Sequence, residues 1–187
     1  MAVTDRKATG NGVAHRLHLS VPKPMTESPA ARYIWALARL SLGWVFLWAF
    51  LDKWIGLGHE TAGAKGWLDG GNPTQGFLSH AKGAFAGFYH NIAGDAWVNW
   101  LFMLALLGLG IALILGIGMR VAAVAGTILL VMMWSASLPP ENNVFMDDHI
   151  IYALLLIGLV LVSAGETLGF GKVWANTSLV RRMPFLK

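Results

Sequence analysis

The stretch from Tyr33 to Leu51, YIWALARLSLGWVFLWAFL, holds nineteen residues and one charge, Arg39, and is closed by Asp52-Lys53. At the helical rise of 1.5 Å per residue, about 20 apolar residues cross a bilayer core of ~30 Å. Segments of the same kind recur at 97–117, 121–138 and 148–165. Of the 187 residues, 56% are hydrophobic and 13% charged, against about 25% charged in a typical soluble domain. These features predict an all-α membrane protein, a four-helix transmembrane bundle in contact with lipid. An ionisable group inside a span is costly, so Arg39 needs a partner, water or a function.

Three regions follow along the chain. Residues 1–30 mix Gly, Ser, Thr, Pro and basic residues, which predicts a flexible tail on the membrane surface. His15 and His18 stand there at i,i+3 spacing but read as tail residues. Residues 31–172 form the transmembrane domain, and 173–187 a basic C-terminal tail. The first helix covers 32–55. The loop 56–96 after it is too polar and Gly-rich to span. Within that loop, Phe77, Leu78, Ala81, Phe85 and Phe88 have helix-like spacing. The Pro73–Ile92 segment is either an interfacial or re-entrant helix or an ordinary extramembrane one. The second and third helices meet at Gly116-Ile117-Gly118-Met119-Arg120, a link short enough to force an antiparallel hairpin. Gly108, Ala112 and Gly116 form a small-residue stripe suited to close helix packing. Pro139-Pro140 ends the third helix, and ENNVFMDDH (141–149) leads to the fourth.

Charge sets the orientation. Arg6, Lys7, Arg16, Lys23, Arg32, Arg120, Lys172, Arg181, Arg182 and Lys187 fall on one side, against Lys53, Lys65 and Lys82 on the other. The positive-inside rule places both termini in the cytoplasm. The net charge of +4 is split between the termini, which suits a membrane surface and not nucleic acid. The nine tryptophans lie mostly near span ends, as interfacial aromatics do. The absence of cysteine excludes disulfides, thiolate catalysis and Cys-ligated iron–sulfur clusters on this chain. The first thirty residues lack the apolar core of a secretory signal.

Two constellations could carry chemistry. On helix 1, Arg39, Gly43, Phe46, Phe50 and Lys53 share a stripe. On helix 4, Asp148, Tyr152, Leu155, Leu159, Val162 and Glu166 share another. The charged ends span about 21 and 27 Å by the helical rise. If these faces meet, Arg39 pairs with Glu166 and Lys53 with Asp148; otherwise Arg39 snorkels to the headgroups. The second constellation is the outer mouth, which gathers Asp52, Lys53, Trp54, His59, His80, His90, Asp147, Asp148 and His149. Histidine beside carboxylate relays protons near neutral pH. Trp44, Trp48, Phe50 and Trp134 could form an aromatic slot for a quinone headgroup, or simply anchor the helices at the interface. No histidine pair has zinc-like spacing such as HExxH, and no pairing of histidines across helices names haem ligands. Neither a metal nor haem is expected.

The segment Arg39-Leu40-x-x-Gly43-x-x-Phe46-Leu47 followed by Asp52-Lys53 resembles the opening helix of the DoxX/DoxD-like membrane proteins. LLGLGIALILGIGMRVAAVAG (106–126) is similar to their second signature, and SAGETLGFG at the end of helix 4 to their closing turn. The resemblance covers roughly 33–172. It implies a four-helix protein of a prokaryotic plasma membrane, tied to respiratory or redox metabolism. The long first loop looks like the DoxD branch, the small subunit of thiosulfate:quinone oxidoreductase, in which thiosulfate is oxidised to tetrathionate and quinone reduced. The leading expectation is therefore a quinone-linked redox subunit. Arg39 and Glu166 would form an intramembrane pair. Asp52, Lys53, Asp148 and His149 would make an outer polar site, and Trp44, Trp48, Trp134 and Tyr152 would flank the quinone. Two alternatives stay open: a non-catalytic accessory or assembly subunit of a larger respiratory membrane complex, and a small transporter or lipid-binding protein.

Overall fold

Helix α1 spans Pro29–Ile55 and sets the axis against which everything else packs. The computed structural model describes residues 28–140 and 143–187. The expected N-terminal tail, with His15 and His18, lies almost wholly outside the described residues. All regular structure among the described residues is helical. The loop after α1 contains short helices α2 (Gln75–Ser79) and α3 (Ala86–Ile92). Long helices α4 (Ala96–Leu115) and α5 (Met119–Ala136) follow, then α6 (Asp148–Leu161). Short helices α7 (Gly171–Ala175) and α8 (Ser178–Arg182) end the chain. Three helices, α1, α4 and α5, are long and apolar enough to cross a membrane. The fourth expected span, α6, is apolar but has 14 residues, about 21 Å of helix. It ends short of the expected 165 because Ser163 adopts a left-handed conformation, φ 52°. That turn sends the chain across the ends of α1 and α4.

The helices pack chiefly as two pairs, α1 with α4 and α5 with α6, with α4 against α5 joining them. The face of α1 bearing Ala36, Arg39, Leu42, Gly43 and Phe46 is buried; it takes in Arg39, Gly43 and Phe46 of the expected stripe, while Phe50 and Lys53 are half-buried. Its main neighbour is α4, however, and not the fourth helix. The reason is a reciprocal pair of glycines. A Cβ on Gly43 would lie 2.9 Å from Leu113 Cβ, and one on Gly110 2.9 Å from Leu47 Cβ. Bare backbone on both sides lets the two helices close up. Gly126 does the same for α5, where an added Cβ would stand 2.6 Å from Leu156 of α6. Of the expected small-residue stripe on α4, Gly108 faces open space. The contact is made by Gly110, outside that stripe. One core runs through the middle, from Leu42 and Phe46 across Leu106, Leu109 and Leu113 to Leu130, Leu156 and Leu159.

The two ends of the molecule are built differently. At the cap end, the chain between α1 and α4 folds over the helix ends. The single helix expected over 73–92 is two short ones, because Gly83 turns the chain at φ 76° close to the Leu138 carbonyl. Leu78, Ala81 and Tyr89 are buried against Val98 and Ala136, while Phe77, Phe85 and Phe88 are exposed. The Tyr89 hydroxyl donates to Met132 O at 3.0 Å, and Lys82 N to Ala136 O at 3.3 Å. Buried Thr74 donates through Oγ1 to Asn99 Oδ1 at 2.7 Å, tying the cap to α4. At the tail end, Gly116 and Gly118 take positive φ and make the expected tight α4–α5 turn. The C-terminal segment docks back on α5, where Arg120 N donates to Lys187 O at 2.9 Å, and is tied to α7 by Trp174 Nε1 donating to Leu186 O at 2.7 Å.

Candidate functional site

Arg39 is fully buried, and its partners are backbone carbonyls. Its guanidinium donates to Ala164 O at 3.2 Å, Ile114 O at 2.9 Å, Thr167 O at 3.2 Å and Leu168 O at 2.8 Å, and also to Leu113 O. The last carbonyls of a helix have no intrahelical donors. In α4 that shortfall is met from outside. Gly116 N and Ile117 N cap Ala112 O, Phe170 N donates to Leu115 O at 2.8 Å, and Arg39 takes the two between. The same fork holds the 164–168 segment that follows α6. A guanidinium offers five N–H donors in a rigid plane and no acceptor. Here it ties three parts of the chain together.

The expected Arg39–Glu166 pair is therefore not formed. Glu166 lies 3.7 Å from Lys187, since the turn at Ser163 carries it off the helix 4 stripe. The Lys53–Asp148 pair is also absent. Lys53 Nζ binds Glu60 Oε2 at 2.9 Å, and Asp148 lies 3.6 Å from His149 Nδ1. In both cases α1 packs mainly on α4, so Arg39 takes carbonyls of α4 and of the segment after α6, and Lys53 takes Glu60 of the loop.

Asp52 is buried and accepts three backbone N–H bonds, from His59 at 3.3 Å, Glu60 at 3.1 Å and Thr61 at 2.9 Å. It folds the first turn of the loop back onto α1. That places the His59 ring edge-on to Trp48, 5.1 Å between centroids, with Trp44 a further 5.8 Å along. Trp44, Val45, Trp48, Ala49, Asp52, His59 and Glu60 line a mainly apolar groove of about 480 Å³. Trp44 is 53% exposed, so the groove opens on the outward side of a membrane-length helix. A second aromatic run, Phe50–Trp54–Trp67–Trp100, has centroids 5.4, 5.4 and 4.7 Å apart and bridges α1 to α4.

The remaining candidates stand apart. A cleft of about 810 Å³ at the cap end is lined by His80, Lys82, Asp147, Asp148 and His149, among others. Asp147 caps α6 through Ile150 N at 3.3 Å and accepts from His149 Nδ1 at 2.8 Å. Trp134 donates to Phe145 O at 2.7 Å, and Tyr152 packs on the central core. Neither lines the Trp44–Trp48 groove. The outer mouth expected from the sequence is thus two sites, one on α1 and one between α2 and the start of α6. Glu60 is the groove residue the sequence does not flag. Only the bend imposed by Asp52 brings it there.

Membrane-length helices, buried charges committed to backbone, and polar groups gathered at one end define a small helical membrane protein. The DoxX family model matches residues 34–138, more than half of the chain, and the chain belongs to the DoxX family. The match takes in α1, the cap, α4 and α5, and ends before α6. No curated protein and no solved structure matches the chain.

Proposed function

We propose that this DoxX protein is a quinone-linked redox subunit of a prokaryotic plasma membrane, spanning the bilayer four times with both termini in the cytoplasm. The cap then faces outward. The observation that carries the reading is the groove on α1, where an imidazole and a carboxylate meet two tryptophans at the mouth of an apolar, lipid-facing slot. The groove fits a quinone headgroup by size and by the chemistry of its walls. A quinone, when bound, accepts two electrons and two protons. Trp44 and Trp48 offer flat apolar faces for the ring and the first part of its tail. His59 can hold a proton at a ring nitrogen, and Glu60, which shares the groove lining and is paired with Lys53, leaves a carboxylate there to pass one from water. Asp52 positions both by fixing the 59–61 backbone. With no cysteine on the chain, the electrons come directly from the donor or through a partner subunit. A thiosulfate:quinone reaction supplies them when two thiosulfates join as tetrathionate and release two electrons.

The test is purification from native membranes in mild detergent, with extraction of bound quinone and assay of thiosulfate-dependent quinone reduction. Trp48→Ala and His59→Ala are expected to lose bound quinone while the protein stays folded. Wild-type protein free of quinone and inactive with every donor tried would refute the reading. The second reading, an accessory subunit of a larger respiratory complex, rests on a different observation. Between α4 and α5 lies an exposed apolar groove of about 450 Å³ floored by Gly108 and Ala112, a surface on which another membrane helix can pack closely. Constant co-purification with cytochrome subunits, lost in Gly108→Leu, would select it.

A further inference from the structure

At the opposite end from the quinone groove, a separate pocket of about 360 Å³ lies between the start of α1 and the chain leaving α6. Arg32, Trp35, Val162, Glu166, Thr167 and Lys172 line it. Two of these are cations with little committed inside the protein. Arg32 donates one long bond, Nε to Thr167 Oγ1 at 3.4 Å. Lys172 is exposed, and among the described residues it forms no ion pair. Glu166, the acid in the lining, is drawn toward Lys187. The pocket therefore presents net positive charge. Below it the wall turns apolar. Trp35 reaches across to α6, 3.9 Å from where a Cβ on Gly158 would stand. Arg32 sits in the first turn of a membrane-length helix.

We infer that this pocket binds the phosphate of an anionic phospholipid, with the headgroup between Arg32 and Lys172 and an acyl chain along Trp35 and Val162. Basic pockets between membrane helices are suited to anionic headgroups, and each nearby cation adds to that attraction. Guanidinium geometry matches two phosphate oxygens at once, and the lysine adds a point charge. A free phosphate would satisfy the cations equally well. The apolar side chains of the lining, Trp35 and Val162, have a use only if the anion carries a hydrocarbon chain. The site is independent of the quinone groove, so either proposal can fail without the other.

The experiment measures labelled phosphatidylglycerol retained by the full-length protein in neutral detergent, with phosphatidylcholine as the uncharged comparison and inorganic phosphate as competitor. Wild-type protein retains phosphatidylglycerol in preference to phosphatidylcholine. Arg32→Ala with Lys172→Ala lowers that retention by at least about fivefold. Lys172→Ala alone, at an exposed position that cannot compromise folding, moves it in the same direction. Arg181→Ala with Arg182→Ala removes equal charge outside the pocket and leaves retention unchanged. Equal losses in the two double variants would overturn the inference, since binding would then follow overall charge. So would equal retention of phosphatidylcholine. Displacement of the lipid by millimolar inorganic phosphate would also overturn it, in favour of a free-phosphate site.

Discussion

Replacing Arg39 with methionine, which keeps the length of the side chain and removes its donors, tests whether this buried charge is structural or chemical. Five carbonyls lose their donor: Leu113, Ile114, Ala164, Thr167 and Leu168. A buried polar group left unpaired costs about 1–3 kcal/mol. Ala164, Thr167 and Leu168 belong to an irregular segment near the helix ends and can move toward water. Leu113 and Ile114 cannot, because α4 is pinned against α1 at Gly43 and Gly110. The floor of the effect is thus about 2–6 kcal/mol from the two α4 carbonyls alone. With the remaining three, the loss approaches the whole stability of an ordinary domain, about 5–15 kcal/mol. A mid-range loss of about 4 kcal/mol lowers the melting temperature of a chain this size by roughly 10 °C. The assay is thermal unfolding in detergent, read by loss of the monodisperse peak on size-exclusion chromatography. Arg39→Met should melt lower by about that much or fail to accumulate. Arg39→Lys, with three donors against five, should fall between it and the wild type. A fully stable Arg39→Met protein that has lost activity would refute the structural account and return Arg39 to the reaction.

Three further outcomes follow from the same geometry. Gly165→Ala puts a Cβ 2.5 Å from Gly116 O, a backbone atom, whereas Gly108→Ala meets nothing within 4 Å; the first should destabilise by about 1–3 kcal/mol and the second leave the melting temperature unchanged or slightly raised. Asp52→Ala frees three backbone N–H groups at 59–61, so proteolysis in that loop should speed up and bound quinone fall together, while Asp52→Asn, which keeps an acceptor oxygen, loses less of both. Tyr89→Phe removes the bonds to Met132 O and Ser135 at a cost of about 1 kcal/mol, and amide exchange should rise in α3 while α4 and α5 keep their protection.

The sequence made the helices legible because membrane spans are long and their hydropathy is strong. Starts and stops of α1, α4 and α5 fall within a few residues of the expected ones, since Pro29, Gly56, Gly116 and Gly118 punctuate them in ways any backbone obeys. The buried stripe of α1 was legible as well, and so was the family. The partner of that stripe was not. Period alone says which side of a helix is hidden, not which helix hides it. That choice was made by Gly43 and Gly110 meeting across the α1–α4 contact, and only one of the two stood in a stripe the pattern flags. The ion pairs failed for a related reason. Matching charges on two helical faces is persuasive only while the second helix lasts, and α6 stops at Leu161. A left-handed serine carries no sequence mark comparable to a proline or a glycine. Backbone carbonyls are invisible in a sequence, so the true partners of Arg39 could not be read there at all.

The division of the polar residues follows from these contacts and bears on where chemistry can happen. A buried charge whose hydrogen-bonding capacity is already filled by backbone cannot exchange protons or bind substrate without dismantling the fold. Arg39 and Asp52, the most deeply buried charged residues among those described, are both in that position. Among the described residues, the imidazoles and carboxylates open to solvent, His59, Glu60, Asp69, His80, His90, Asp95 and Asp148, all stand at the cap end. At the tail end the open groups are mainly cations, suited to holding an anion in place and poorly suited to moving protons. If the chain takes part in redox turnover, proton exchange belongs at the cap, beside Trp48 and His59. The tail end then has the separate work of fixing the helices through Arg39 and seating the protein on charged lipid.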